Sequence, residues 1–208
     1  MSKELILKMS MSVDGFVAAP NGDLDWIFRS RSETSTQWLV DLFATVGLHA
    51  IGHGSYDMAD YWPTSTHPLA RAMNEIPKAV FSRSGQISPP SMEKTLAALN
   101  EAAPSDKADI RAAMDSWMHP IVAGQDLVAD IQRLKAEDGK PILAHGGASF
   151  ASSLIAANLV DVFHLTVHPI ALGRGLPIFA KVEKPLDLKL EGLTQFDSGV
   201  VIKTYRPS

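Results

Sequence analysis

The 208-residue sequence contains no cysteine. That excludes disulfides, a thiol nucleophile and every cysteine-ligated metal site. Long hydrophobic runs are missing too, so no stretch reaches the length of a membrane-spanning helix. The opening residues Met1-Ser-Lys-Glu-Leu enter a strand-like run directly and carry no signal-peptide pattern, so a cytoplasmic location is expected. Positive charge is in short supply: 19 Lys and Arg stand against 23 Asp and Glu, a formal net charge of −4. Nucleic-acid surfaces normally show a basic excess, and the one arginine cluster, Phe28-Arg-Ser-Arg-Ser32, is too short to supply it. The P-loop, the G-x-G-x-x-G fingerprint and the G-x-S-x-G elbow are all absent. What is present is ordinary for a soluble globular protein: 46% hydrophobic and 20% charged residues, at a length that buries a core within one domain.

The apolar residues alternate between two periods. Leu5 to Met11, Leu48 to Ile51, Lys78 to Ser82, Pro120 to Ala123 and Pro141 to Ala144 read as strands. Between them, Trp38-Leu39-Leu42-Phe43-Val46, Leu69-Met73-Ile76 and Leu127-Ile131-Leu134 fall at helical spacing. Strands alternating with helices predict an α/β fold with a mostly parallel sheet. Val162 to His168, Leu186 to Leu190 and Val200 to Tyr205 have no helical pattern between them and predict antiparallel strands closing one edge. The stretch from about 86 to 118 reads as an inserted helical hairpin. Met92-Leu96-Leu99 forms one stripe and Ile110-Met114-Trp117 the other, with Ser105 as the second helix's cap. Leaving the sheet after Ser82-Arg-Ser84, this insertion is expected beside the substrate rather than in the main core.

Three segments end predicted strands with residues suited to phosphate. His145-Gly-Gly147 precedes a helical stripe, and bare backbone N–H groups at a helix start bind phosphate. An ordinary strand-to-helix turn uses the same glycines. Gly52-His-Gly-Ser-Tyr-Asp57 offers two glycines for close approach and Ser55 as a cap, or else a plain capped turn. Ser82-Arg83-Ser84 flanks a guanidinium with hydroxyls, which suits a phosphate monoester, although taken alone an exposed loop arginine is the simpler reading. All three lie at the C-terminal ends of strands, the edge where open α/β sheets bind ligands. His164 and His168 share one side of a strand but lack an acidic partner at ligand spacing, so no metal site is expected. Asp14-Gly15 is either a general acid beside a ligand or a tight turn. Trp26, Tyr61 and Trp62 are candidate aromatic walls for a substrate, or core.

Taken in order, Met11-Ser-Val-Asp-Gly-Phe-Val-Ala18, Asn21-Gly-Asp-Leu-Asp-Trp26, Gly52 to Asp57, Lys78 to Ser84, Leu143 to Phe150 and Leu159 to Phe179 resemble the dihydrofolate reductase-like superfamily. The closer likeness is to free-standing relatives of the reductase domain of the bifunctional riboflavin-biosynthesis deaminase-reductase. The resemblance spans most of the chain outside the insertion. It implies one reductase-like domain over residues 1–208, with a mostly parallel central sheet, flanking helices and antiparallel C-terminal strands. It also implies a homodimer and NADPH as hydride donor to a small heterocyclic or carbonyl substrate. By position, Val17 and Ala18 would line the nicotinamide. Gly52, Gly54, Ser55 and Tyr56 would sit at the phosphates, and Ser82 and Arg83 would hold the adenosine 2′-phosphate. Gly146, Gly147, Ala148, Ser149 and Phe150 would cover the pyrophosphate. His53 stands where relatives often carry arginine. Thr36 and Gln37 stand where dihydrofolate reductases place an acid, so dihydrofolate is not the expected substrate. Met58-Ala-Asp-Tyr-Trp-Pro63 replaces the riboflavin enzyme's substrate loop. With Asp14 or a water as the candidate proton donors, a non-catalytic dinucleotide-binding or sensing protein is the alternative.

Overall fold

The apolar runs and helical stripes assemble around one mixed sheet. The computed structural model describes residues 2–208, the Asp57 side chain excepted. In chain order the elements begin with β1 (Leu5–Ser12), β2 (Phe16–Ala18), a 3-10 helix (Asp25–Ser30) and α1 (Glu33–Ala44). Next come β3 (Leu48–Gly52), a second 3-10 helix (His53–Asp60), α2 (Ala70–Glu75) and β4 (Lys78–Phe81). The middle of the chain forms α3 (Glu93–Glu101), α4 (Lys107–Met118), β5 (Ile121–Ala123), α5 (Leu127–Ala136), β6 (Ile142–His145) and α6 (Ala148–Ala156). It closes with β7 (Val162–His168), β8 (Leu176–Pro177), β9 (Leu188–Gln195) and β10 (Val201–Pro207).

The eight-stranded sheet has the order β5-β4-β3-β6-β1-β7-β10-β9. The fold is the expected α/β class. The expected antiparallel edge is present: β10 pairs antiparallel with both β7 and β9, while β7 on its other side runs parallel to β1. The burial of β7 explains this, since a strand covered on both faces belongs inside the parallel part. Phe16–Ala18 and Leu176–Pro177 pair as a separate two-stranded ribbon, too short to leave a periodic signal.

Strand alternation splits the core between the two faces of the sheet. Leu5, Leu7 and Met9 of β1 join Ile131, Leu134, Leu154 and Phe163 on one face. Ile6 of β1 joins Phe43, Ile51, Met73, Val80 and Leu143 on the other. Lys8, Ser10 and Ser12 continue the Ile6 side, so a polar stripe runs down a central strand on that face.

The insertion belongs to this second core, which corrects its expected place beside the substrate. Trp117 is 0% exposed and Met92 is 7% exposed, and both pack into the Ile6-side cluster. The Tyr56 hydroxyl donates to the Trp117 carbonyl. Trp117 Nε1 donates to Asn74 Oδ1 at 2.9 Å. Buried Lys78 donates to the Asn74 carbonyl at 2.9 Å and to Ser116 Oγ. Burial pushes its pKa down to about 7. Asp60 accepts the backbone N–H groups of Lys94 and Thr95 and so caps α3 from a distance. A large indole with no exposed surface outweighs any advantage of leaving the hairpin free. Ser105 does not cap α4, whose cap residue is Asp106, because its hydroxyl is turned to Asp106 Oδ1 at 2.8 Å. Ser55 likewise lies within the second 3-10 helix, whose cap residue is Gly52.

Candidate functional site

Parallel strands deliver their C-terminal ends to one edge of the sheet, and the chain turns there on glycines. After β6, Gly146 and Gly147 have φ of +78° and +76°, a left-handed region that L side chains resist. Gly147 is the cap residue of α6 and no side chain caps that helix, so the first-turn amides have no partner within it. After β3, a Cβ at Gly52 would lie 2.7 Å from Phe150 Cβ, so only glycine lets α6 come this close. Phe150 stacks on Phe81 at 4.8 Å between ring centres. After β4, Ser82 Oγ and Ser84 Oγ lie 2.9 Å apart. Gly124, with φ +105°, brings β5 so close that its Cβ would meet Ser82 N at 2.9 Å. Gln125 Nε2 donates to the Ser84 carbonyl at 3.2 Å and steadies the same loop. The Arg83 side chain is exposed and pairs with no carboxylate among the described residues.

These turns bound two adjoining compartments. The first, about 690 Å³, is lined by Gly52, His53, Ser82, Arg83, Ser149 and Phe150 among others. The second, about 430 Å³, lies under Val17, Ala18, Leu39, Phe43, Trp62 and Met73, with Lys8 and His145 as its ionisable members. Gly54 and Gly147 line both, so the two form one continuous cleft. No described carboxylate lines either compartment, whereas Lys8, His53, Arg83 and His145 all do. With Lys8 and Arg83 as the cationic side chains of a cleft without carboxylates, a protein of net charge −4 has here a local positive field, suited to an anion.

The structure thus brings together every residue expected at a cofactor except Tyr56. Val17 and Ala18 line the apolar compartment, and Ser55, Gly146 and Ala148 border it beside the shared glycines. Tyr56 is 2% exposed and spends its hydroxyl on Trp117, so it is core. Of the expected aromatic walls only Trp62 lines the cleft. Trp26 is buried edge-on against His168 at 5.5 Å, and Tyr61 points to solvent at 55% exposure. Asp14 is corrected as an acid. Its carboxylate accepts from Ser12 Oγ at 2.5 Å, from Gly173 N at 2.7 Å and from Leu172 N at 3.1 Å. These bonds, that from Ser12 foremost, hold its pKa down to about 2, so it has no proton to give near neutrality. It ties the turn after β1 to the segment before β8.

Lys8 went unread in the sequence, and His145 was read only as the start of the glycine turn. The strands place Lys8 opposite His145 on one side and His164 on the other. Lys8 Nζ donates to Ser10 Oγ at 3.1 Å. Burial, helped by the Arg31 charge, pushes its pKa down to about 8. His145 is driven down to about 4 by burial and then by Lys8. The available signal was a lysine inside the apolar run Leu5 to Met11, at a position that a central strand rarely gives to a charge.

Comparison with known proteins shows the family and the fold. Residues 3–202 match the family model of the RibD C-terminal domain. The chain belongs to that family. YyaP of Bacillus subtilis (strain 168) is 27% identical over 209 residues, covering 98% of this chain and 94% of its own. A putative riboflavin biosynthesis protein from Shewanella sp. PV-4 superposes with a TM-score of 0.69 at 20% identity, over 100% of this chain and 99% of its own. The diaminohydroxyphosphoribosylaminopyrimidine deaminase/5-amino-6-(5-phosphoribosylamino)uracil reductase of Thermotoga maritima gives 0.67 at 16% identity, over 100% of this chain and 57% of its own. Enterococcus faecalis dihydrofolate reductase, solved with NADP(H), gives 0.58 at 10% identity, over 100% of this chain and 99% of its own. The fold is therefore dihydrofolate reductase-like.

Proposed function

We propose that the protein is an NADPH-dependent reductase of a small heterocyclic or carbonyl compound. The observation that carries this is the junction of the two compartments at Gly54 and Gly147. One side is open, basic and lined by backbone and hydroxyls. The other is apolar with a single amine. A dinucleotide needs that sequence of environments, and the residues present fit one. The first-turn amides of α6 and the turn at Gly146-Gly147 would take the pyrophosphate. Ser82, Arg83 and Ser84 would take the 2′-phosphate, which distinguishes NADPH from NADH. Val17 and Ala18 would flank the nicotinamide. The family's reductase members and the NADP(H) complex of the dihydrofolate reductase neighbour point the same way.

When bound, the nicotinamide supplies a hydride to an electrophilic carbon. The chain's own part is to bind, orient and protonate. Phe43, Trp62 and Met73 exclude water from the apolar compartment. Lys8 Nζ, held by Ser10, carries a proton at a pKa near the working pH and gives it to the heteroatom that gains charge. A half-buried ammonium that can release its proton near pH 8 suits protonation of a product, and this favours turnover over the non-catalytic alternative.

Calorimetric titration of NADPH and NADH into wild type and Arg83→Ala tests the assignment. A charge-assisted contact predicts a preference for NADPH of about tenfold to a hundredfold, lost in the variant. Equal affinities in wild type would overturn it.

A further inference from the structure

A polar row crosses five adjacent strands on the Ile6 side of the sheet, from Lys78 on β4 through His49 on β3, His145 on β6 and Lys8 on β1 to His164 on β7. His49 is 0% exposed, in the middle of an otherwise apolar strand. Its Nε2 lies 3.3 Å from the Ala72 carbonyl oxygen. Its Nδ1 lies 3.1 Å from His145 Nε2. The two rings stand 4.8 Å apart at 75°, and Phe43 packs against both, at 5.2 and 5.3 Å.

The hydrogen positions follow from the ends of this chain. A carbonyl oxygen only accepts, so His49 Nε2 must carry the hydrogen. Lys78 and His145 are the charged or ionisable groups acting on His49, and Lys8 acts on His145, so only positive charge bears on the pair. Both rings are therefore neutral and each carries one hydrogen. With its hydrogen on Nε2, His49 Nδ1 is a bare acceptor. His145 must then donate to it from its own Nε2. That leaves His145 Nδ1 bare. This atom has no partner among the described residues and is not among the sealed, unpartnered atoms of the interior. It belongs to a residue that lines the apolar compartment.

We propose that His49 is a positioning residue that locks the tautomer of His145, so that the compartment offers a fixed acceptor, His145 Nδ1, to an N–H or O–H of the bound substrate. The inference rests on the reductase reading for the word substrate, but the hydrogen positions do not. Lys8, opposite His145 in the strand register and lining the same compartment, supplies a donor from the neighbouring strand. The pair thus selects a ligand with a donor beside an acceptor. A ligand with an acceptor alone leaves the imidazole lone pair unpaired in an apolar site, which is unfavourable.

Nitrogen-15 imidazole spectra of the wild-type protein, recorded without nucleotide between about pH 6 and 8, read the tautomers directly. His145 signals are assigned from their loss in His145→Phe. Expected is a pyridine-type Nδ1 and a pyrrole-type Nε2 on both His49 and His145 across that range. A hydrogen on His145 Nδ1, or a tautomer mixture, overturns the lock while leaving the reductase reading intact. Absence of NADPH binding does the reverse. In His49→Phe, His145 should become a tautomer mixture; a retained single tautomer in that folded variant also counts against His49. The ligand arm uses isocarbostyril, a cyclic amide, with its N-methyl derivative and a C-methyl isomer as size control, titrated in the presence of saturating NADPH. The parent and the C-methyl isomer should bind about three- to tenfold more tightly than the N-methyl compound, and the difference should vanish in His145→Phe. Equal binding of all three to wild type, or no binding at millimolar concentration, overturns the acceptor role.

Discussion

Lys8 occupies a position where two neighbouring strands, an apolar pocket and a serine hydroxyl all converge. Its pKa of about 8 means that the ammonium form is present below that value and is lost as the pH rises through it. Turnover that draws its proton from Nζ should therefore decline above about pH 8. Lys8→Met should cut turnover on the order of a hundredfold or more and abolish that limb, while NADPH affinity stays unchanged. Stopped-flow or steady-state loss of nicotinamide absorbance across pH checks both parts, and an unchanged profile in the variant would reassign the proton source. The sequence showed the other half of the cleft far better than this one. Gly54, Arg83 and Gly147 are residues whose chemistry is visible one at a time. Lys8 and His145 matter only as neighbours across a sheet, and pairing of residues so far apart in sequence leaves no local trace.

The elements themselves were legible where they bury a regular stripe. Leu127, Ile131 and Leu134 fix α5, and Leu42, Phe43 and Val46 mark the buried side of α1 and its end. The insertion was legible as two helices but not in its docking. Its deciding contacts are Trp117 with Asn74 and Tyr56, and a stripe says only that a face is apolar, never what covers it. Trp117→Ala should lower stability by about 3–5 kcal/mol in denaturant titrations, with NADPH affinity of the folded fraction unchanged. A loss of affinity without loss of stability would return the hairpin to the role of a lid. The glycine turns separate backbone strain from ligand approach. At Gly147 a Cβ would sit 3.2 Å from Ser55 Oγ on a backbone of φ +76°, so Gly147→Ala should lose about 1–2 kcal/mol of stability as well as cofactor affinity. At Gly54 a Cβ meets nothing within 4 Å, so Gly54→Ala should keep its stability and lose NADPH affinity alone. Thermal melts paired with titrations distinguish the two, and full NADPH affinity in Gly54→Ala would move the phosphates elsewhere.

At the scale of the molecule, β9 leaves one edge of the large sheet open, with Leu190 and Leu193 49% and 59% exposed. A sheet edge that carries exposed leucines is commonly covered, and we propose a second copy of the chain as the cover. Light scattering at micromolar concentration should give the mass of a dimer; a monomer would refute the expectation. The order of the strands has a further consequence. β1 lies between β6 and β7, strands that begin at Ile142 and Val162, and it pairs with nothing else in the large sheet. On the ribosome, then, β1 emerges well before either of the strands it pairs with. The β3–β4–β5 portion can assemble earlier, but a nascent chain that has not reached Ile142 carries an apolar strand with both edges bare. Translation must pass Ile142 before β1 has a neighbour on one side and Val162 before it has one on the other, so the centre of the sheet closes late and its contacts are long-range.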